Sequence, residues 1–251
     1  MYEGSNYGDA RGCILCHGRG FRGGPPMIEL YHCVDARSFR ALWALEELGL
    51  EYRLHMLPFP PRVHRPDYLE LNPLGTIPLL IDGEVRMTES AAIPQYLATR
   101  YGPSPLAVEA HETDYGLWLD WLHRSEATLT FPQTIVLRYT RLEPEERRLK
   151  QAADDYTQWF LSRLRHLTRA LGDREWLCAD RFTMADVCVG YALVFARLLD
   201  LDHRFSPEIA DYWARLSSRP AFLAAKAAQD VGLPPPIPPA PGTSGASEAS
   251  S

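Results

Sequence analysis

The sequence predicts two unlike units in one chain, a mixed α/β sheet unit followed by an all-helical one. Three observations predict it. Short alternating runs and helical stretches take turns between residues 27 and 101, Gly102-Pro103-Ser104-Pro105 then breaks the pattern, and everything beyond carries a period of 3.6 residues. A chain of 251 residues with 46% hydrophobic content is long enough to bury two modest cores.

Residues 1–26 are rich in Gly and Arg and lack aliphatic periodicity, so a disordered leader is expected there, with Met27 a candidate start of the folded chain. Ile28 to His32 reads as a strand. Phe39 to Leu48 reads as a helix with Ala41, Ala44, Leu45 and Leu48 on one face, ended by Gly49. Tyr52 to Leu57 alternates as a strand before the prolines at 58, 60 and 61, and a short helix is expected before the turn Asn72-Pro73-Leu74-Gly75. Ile77 to Ile81 and Glu84 to Met87 are expected to form a hairpin across Asp82-Gly83. Thr88 is the expected cap of a helix reaching about Tyr101. Within that helix Pro94 removes a backbone bond and is expected to bend or loosen it.

The helical unit is expected near 109–138, 145–171, 183–199 and 208–228, punctuated by Pro144, Gly172 and Pro207. Thr183-Met184-Ala185-Asp186 puts a hydroxyl at the N-cap and a carboxylate at N3, a capping box with Asp in place of Glu or Gln. The helix it opens is apolar on nearly every side and should be the buried centre of the unit. Asp186 is therefore read as structural. The Pro, Gly and Ser tract from Gly232 to Ser251 cannot bury enough apolar surface to order itself. The expected division is a leader at 1–26, a sheet domain at 27–103, a helical domain at 108–230 and a disordered tail at 231–251.

Composition narrows the function classes. A net charge of -6, with Arg and Glu interspersed, points away from nucleic acid. The longest apolar run, Val187 to Ala196, is about half of the ~20 residues of a membrane span, so no membrane partner is expected. The N-terminus lacks an apolar export signal, which makes the cytoplasm the expected compartment. Five scattered cysteines argue against a disulfide framework. Cys13-Ile14-Leu15-Cys16-His17 fits covalent haem attachment by pattern, but haem needs an exported helical cradle and zinc needs two further ligands. Neither haem nor metal is expected, and a thiol-disulfide role for the pair stays open.

From about Met27 to Gln229 the chain resembles the bacterial glutathione transferases of the cytosolic superfamily. The resemblance is carried by Leu30-Tyr31-His32, Arg37-Ser38-Phe39-Arg40, Leu45-Glu46-Glu47-Leu48-Gly49-Leu50, Asn72 to Pro78, Thr88-Glu89-Ser90-Ala91-Ala92-Ile93 and the Thr183 cap, in that order. It implies a thioredoxin-like N-terminal domain that binds glutathione as co-substrate, an all-α C-terminal bundle, and a homodimer formed through the Ser90 helix and the long helix near residue 109.

A glutathione site must grip a charged, flexible tripeptide and lower the pKa of its thiol. The helix N-terminus after Thr88 offers unpaired amides and a positive dipole end, making Glu89 and Ser90 candidate contacts for the peptide's termini. Thr76, Ile77 and Pro78 are the other candidates: Ile77 can pair with the cysteinyl backbone as an added strand would, and the resemblance implies that the Ile77-Pro78 bond is cis. A free thiol titrates near pKa 8.5, and each unit of depression needs about 1.4 kcal/mol of differential stabilisation. In relatives the donor is a Ser, Tyr or Cys in the loop after the first strand, here His32 to Ser38. Where many serine-type relatives carry the hydroxyl, this chain has Ala36. With Asp35 read as N-cap, Ser38 falls in the first helical turn and is the candidate donor, supported by Arg37; Cys33 is the alternative, through a mixed disulfide.

For the second substrate the resemblance implies an apolar pocket against the helix near residue 109, with Tyr115, Trp118 and Leu122 as leading candidates beside Trp121, Phe131 and Tyr139. His123, Ser125 and Glu126 are read as solvated or interhelical. The expected activity is transfer of glutathione, as a thiolate, to a small apolar electrophile. Two alternatives stand beside it: a non-catalytic glutathione-binding or regulatory relative, and a glutathione-dependent isomerase, ether or halide lyase, or disulfide reductase.

Overall fold

The computed structural model describes residues 27–231. The expected leader with its Cys13, Cys16 and His17, and the expected tail from residue 232 onward, lie outside the described residues.

The first unit is a four-stranded mixed sheet of β1 (Ile28–His32), β2 (Tyr52–Met56), β3 (Leu79–Asp82) and β4 (Val85–Met87), ordered β2-β1-β3-β4. β1 runs parallel to β2 and antiparallel to β3, with Leu30 opposite Leu54 and Leu80. The parallel pair needs a crossover, which α1 (Phe39–Leu48) supplies. Gly49 ends α1 at φ +62, the left-handed conformation a glycine takes without strain. Two short helices, α2 (Pro61–His64) and α3 (Tyr68–Leu71), lead back to the sheet.

Three local expectations shift. β3 begins at Leu79, not Ile77, because Pro78 has no amide for the ladder. The register pairs Asp82 with Val85, so the hairpin turn is Gly83-Glu84, one residue later than expected. Thr88 is not the cap: α4 (Ala92–Arg100) starts four residues on, with Ala91 at the N-cap and no side-chain cap bond. Its first amides, those of Ala92 and Ile93, bond to the Glu89 carbonyl. That start places Pro94 in the first turn, where a missing amide costs a helix little.

The second unit is helical. The stretch expected over 109–138 is interrupted: α5 (Tyr115–Arg124) widens into a π-type turn over Ser125–Thr130, continues as α6 (Phe131–Leu137), and widens again over Arg138–Leu142. Pro132 lies next to the first widening, where its ring and missing amide disrupt the regular ladder. α7 (Lys150–Leu171) packs along α6, and α8 (Met184–Leu198) is buried from Met184 through Ala196, as its apolar circumference predicts. The helix expected over 208–228 is two, α9 (Pro207–Ser217) and α10 (Pro220–Val231), because Pro220 disfavours helix at the residue before it. α10 returns to the sheet domain and packs on α1, with Phe222 edge-on to Trp43 at 4.9 Å and to Phe39 at 5.5 Å between ring centres.

The capping box of α8 forms as expected. The Thr183 side chain accepts from the Ala185 amide at 3.2 Å, and Asp186 Oδ2 accepts from the Thr183 amide at 2.9 Å. Asp186 Oδ1 also receives the Leu177 amide and the Tyr212 hydroxyl, at 3.1 and 2.8 Å. Asp186 is wholly buried, and burial pushes its carboxyl up to about 6 against the pull of these donors.

Candidate functional site

The loop from β1 to α1 turns at Asp35, whose φ of +52 is left-handed, and enters the helix at Ser38. Asp35 is not the N-cap. Its carboxylate Oδ1 instead accepts from Lys226 Nζ at 2.5 Å and Gln229 Nε2 at 2.8 Å, both on α10. Ser38 occupies the N-cap position and is fully buried; its hydroxyl accepts from the Cys33 amide at 3.2 Å and turns back to the Cys33 carbonyl at 3.4 Å. As placed, Ser38 stitches the loop together and does not present its hydroxyl outward. Cys33 is buried too, its thiol directed at the Pro58 carbonyl, and burial pushes it up to about 12. Neither is a thiolate or an open donor in this geometry.

In the first turn of α1, Arg40 is fully buried and bonds on every side. Nη1 donates to Ser90 Oγ at 2.7 Å and Glu126 Oε2 at 2.5 Å; Nη2 donates to the Ser125 carbonyl and Thr130 Oγ1 at 2.9 and 2.7 Å; Nε donates to the Cys188 carbonyl at 3.2 Å. The widened turn at 125–130 is what offers the Ser125 carbonyl sideways to a guanidinium. Arg37 joins the same carboxylate, Nε to Glu126 Oε1 at 2.8 Å, and reaches Thr134 Oγ1 at 2.9 Å. Burial works against ionisation of Glu126, but Arg40 and Arg37 outweigh it and hold its carboxyl below the usual range. Two guanidiniums share one carboxylate, leaving the cluster with a surplus positive charge. The first turn of α1 meets the segment leading into α4 at this point, Arg40 against Ser90, so the positive end of the α1 dipole adds to the cluster.

Asn72 organises the turn before β3. Its side chain accepts from the Leu74 amide at 3.2 Å and donates to the Thr76 carbonyl at 2.8 Å, which Tyr68 also meets at 2.8 Å. The Ile77-Pro78 bond is cis. Ile77 packs in one small apolar cluster with Cys33, Leu57, Tyr68 and Leu79, and Ala36 leans on it from the loop. β1 and β3 are paired from Tyr31-Leu79 inward, so the Ile77 backbone lies beyond the ladder.

The predicted residues thus divide. At the corner of the sheet domain formed by the β1–α1 loop, Cys33 meets Ser38 and Ile77, next to Pro78, while Arg37 and Ser90 are joined through Glu126 and Arg40; Thr76 and Glu89 are exposed. Trp118 and Leu122 do not line an open pocket: both are 1% exposed and belong to the main core, with Tyr115 half-buried against Trp118. Two cavities, of about 290 and 280 Å³, are lined by Leu171 to Glu175 with α9 residues and by Trp121, Leu129 and His166 with their neighbours. Neither shares a residue with the corner. The interhelical reading of Ser125 and Glu126 fits their grip on Arg40. Sequence reasoning missed Arg40, Lys226 and Gln229. Arg40 had a signal, a cation four residues before Ala44 on the apolar face; the α10 pair had none. Among the described residues no group of three or more His, Cys, Asp or Glu is placed to hold a metal, and no helix is long and apolar enough to cross a membrane.

Residues 26–99 match the family model described as glutathione S-transferase, N-terminal domain. The chain is 30% identical to glutathione S-transferase 3 of Zea mays over 78% of its own length and 90% of that protein. It is 28% identical to glutathione S-transferase 3 of Schizosaccharomyces pombe over 82% of its length and 90% of that protein. Among solved structures, the glutathione transferase URE2P6 from Phanerochaete chrysosporium in complex with oxidized glutathione superposes with a TM-score of 0.72 at 26% identity, covering 82% of this chain and 98% of that one.

Proposed function

Because this chain belongs to the glutathione S-transferase family, we propose that it binds glutathione at the corner between the β1–α1 loop, cis-Pro78 and Ser90, and transfers it as a thiolate to a small apolar electrophile. The observation that carries the reading is the shared cation cluster: Arg37 and Arg40 on one Glu126, where the first turn of α1 meets the segment leading into α4. Glutathione brings two carboxylates and, once ionised, a thiolate. A corner with surplus positive charge at the start of a helix favours all three. The Ile77 backbone, free of the ladder, takes the cysteinyl residue as an added strand, and Glu89 at the rim meets the peptide's ammonium.

The thiolate is held by Arg37 and by the positive end of the α1 dipole, with Ser38 keeping the loop in shape. The buried Cys33 disfavours mixed-disulfide chemistry. The same reading divides the chain into a glutathione-binding domain at 27–103 and a helical domain at 108–230, and takes a cytoplasmic homodimer built on α4 and α5 as the working assembly.

The test is ultraviolet titration of bound glutathione, with turnover of an activated aryl halide in parallel. Wild type should lower the thiol pKa by a unit or more, Arg37→Met should lose most of that, and Ser38→Ala should lose less than Arg37→Met. A larger loss in Ser38→Ala returns the donor role to Ser38. Binding without any depression favours a non-catalytic glutathione-binding protein, a reading that the enclosed Ser38 hydroxyl also supports.

A further inference from the structure

Asp35 is a non-glycine residue in the left-handed region, and each of its polar groups is held from the helical domain. Its amide donates to Gln229 Oε1 at 3.2 Å, its carbonyl accepts from the Tyr191 hydroxyl at 3.3 Å, and its Oδ1 accepts from Gln229 Nε2 and Lys226 Nζ. Gln229 is 1% exposed and spends both ends of its amide here, since Oε1 also faces His32 Nε2 at 3.1 Å. The donor and acceptor pattern is unambiguous: Oε1 receives, Nε2 gives, and His32 carries its proton on Nε2. These partners lie 191 and 194 residues from Asp35, on the last described helix. A strained loop residue persists where its surroundings over-determine it, and such residues cluster at working sites.

The charge arrangement gives the contact a purpose. Asp35 sits three residues before Ser38, in the loop that leads into α1 and carries Arg37, the cation proposed to hold the thiolate. An uncompensated carboxylate there opposes ionisation of a neighbouring thiol. Lys226 and Gln229 draw that negative charge toward α10 and away from the corner.

We infer that Lys226 and Gln229 are positioning residues for the glutathione chemistry, acting through Asp35 to fix the β1–α1 loop and to neutralise its one carboxylate. The inference rests on the glutathione reading above. Lys226 leaves the fold little at risk, because its side chain is 35% exposed.

The experiment uses the full chain and the thiolate absorbance of bound glutathione across pH, in wild type, Lys226→Met, Lys226→Arg, and Lys226→Met combined with Asp35→Asn. Lys226→Met should raise the bound thiol pKa by about half a unit to one unit, with glutathione affinity changed less than about threefold. Lys226→Arg should stay near wild type, and adding Asp35→Asn should bring the Lys226→Met value back down. A purely structural contact predicts no such rescue. Gln229→Leu, of similar size, should lower kcat at neutral pH more than it raises the KM for glutathione. If Lys226→Met leaves the thiol where wild type has it, or the double variant shows no recovery, the inference is overturned while the function stands. If wild type itself leaves the thiol at its free value, the function reading falls and takes this inference with it.

Discussion

Trp43 of α1 lies so close to Gly190 of α8 that a β-carbon at position 190 would sit 2.8 Å from its Cζ3 and 3.0 Å from its Cη2. The glycine is mid-helix, where alanine is ordinarily preferred by about 1 kcal/mol. Close approach of the indole, which brings the sheet domain onto the central helix, overrides that preference. Gly190→Ala should therefore destabilise the protein by about 1–3 kcal/mol by overpacking. Trp43→Phe in the same chain should recover part of the loss, read as a favourable coupling in a denaturant double-mutant cycle. Additive effects would contradict the contact.

Arg40 holds Ser90, Glu126, Thr130 and the carbonyls of Ser125 and Cys188 from one buried guanidinium. Arg40→Met should cost about 3–5 kcal/mol, since it strands a half-buried carboxylate and several acceptors. Arg40→Lys should recover little, because a point charge cannot reproduce the fork. Urea unfolding measures both.

His32 should make the fold acid-sensitive. Burial lowers its pKa to about 4 from 6.5, so the unfolded chain binds a proton below 6.5 that the folded chain refuses until about 4. Its contribution is complete above pH 6.5 and is lost on acidification, amounting to roughly 3 kcal/mol over that window. Asp186 titrates with the opposite sign: its pKa is raised to about 6, so it favours the folded state as pH falls. The check is the difference between wild type and His32→Gln, which should shrink the acid loss. Parallel stability curves for the two would reject it.

Cys33, held up to about 12 by burial, should resist alkylation of the native protein near neutral pH and react on unfolding. Cys33→Ala should retain turnover with the aryl halide. Loss of turnover in a folded Cys33→Ala variant would restore the thiol to the mechanism.

Much of the architecture was legible in the sequence because its determinants are local. Alternation from Ile28 to His32, the apolar face closed by Gly49 on α1, and Thr183 with Asp186 ahead of an all-apolar helix each specify an element from neighbouring residues alone. The errors also had local causes: Pro78 trimmed β3, Pro132 lay beside a widened turn, and Pro220 split the last helix. Each proline was visible, but its effect depended on where the surrounding ladder began.

The site was legible only in part. Of the motif residues, Ile77 packs with Cys33 of the β1–α1 loop and Ser90 bonds Arg40 of α1. Which loop side chain faces outward was settled by packing: Ser38 and Cys33 turned inward, and the carboxylate of Asp35 was claimed by α10. Composition and periodicity alone determined two units, their order and most of their elements, because these follow from hydrogen bonding and hydrophobic period along a few turns of chain. Only the tertiary structure decided that Arg40 would join two domains on Glu126 and that Gln229 would hold Asp35, because those pairings join residues 86 and 194 positions apart whose partners no local pattern names.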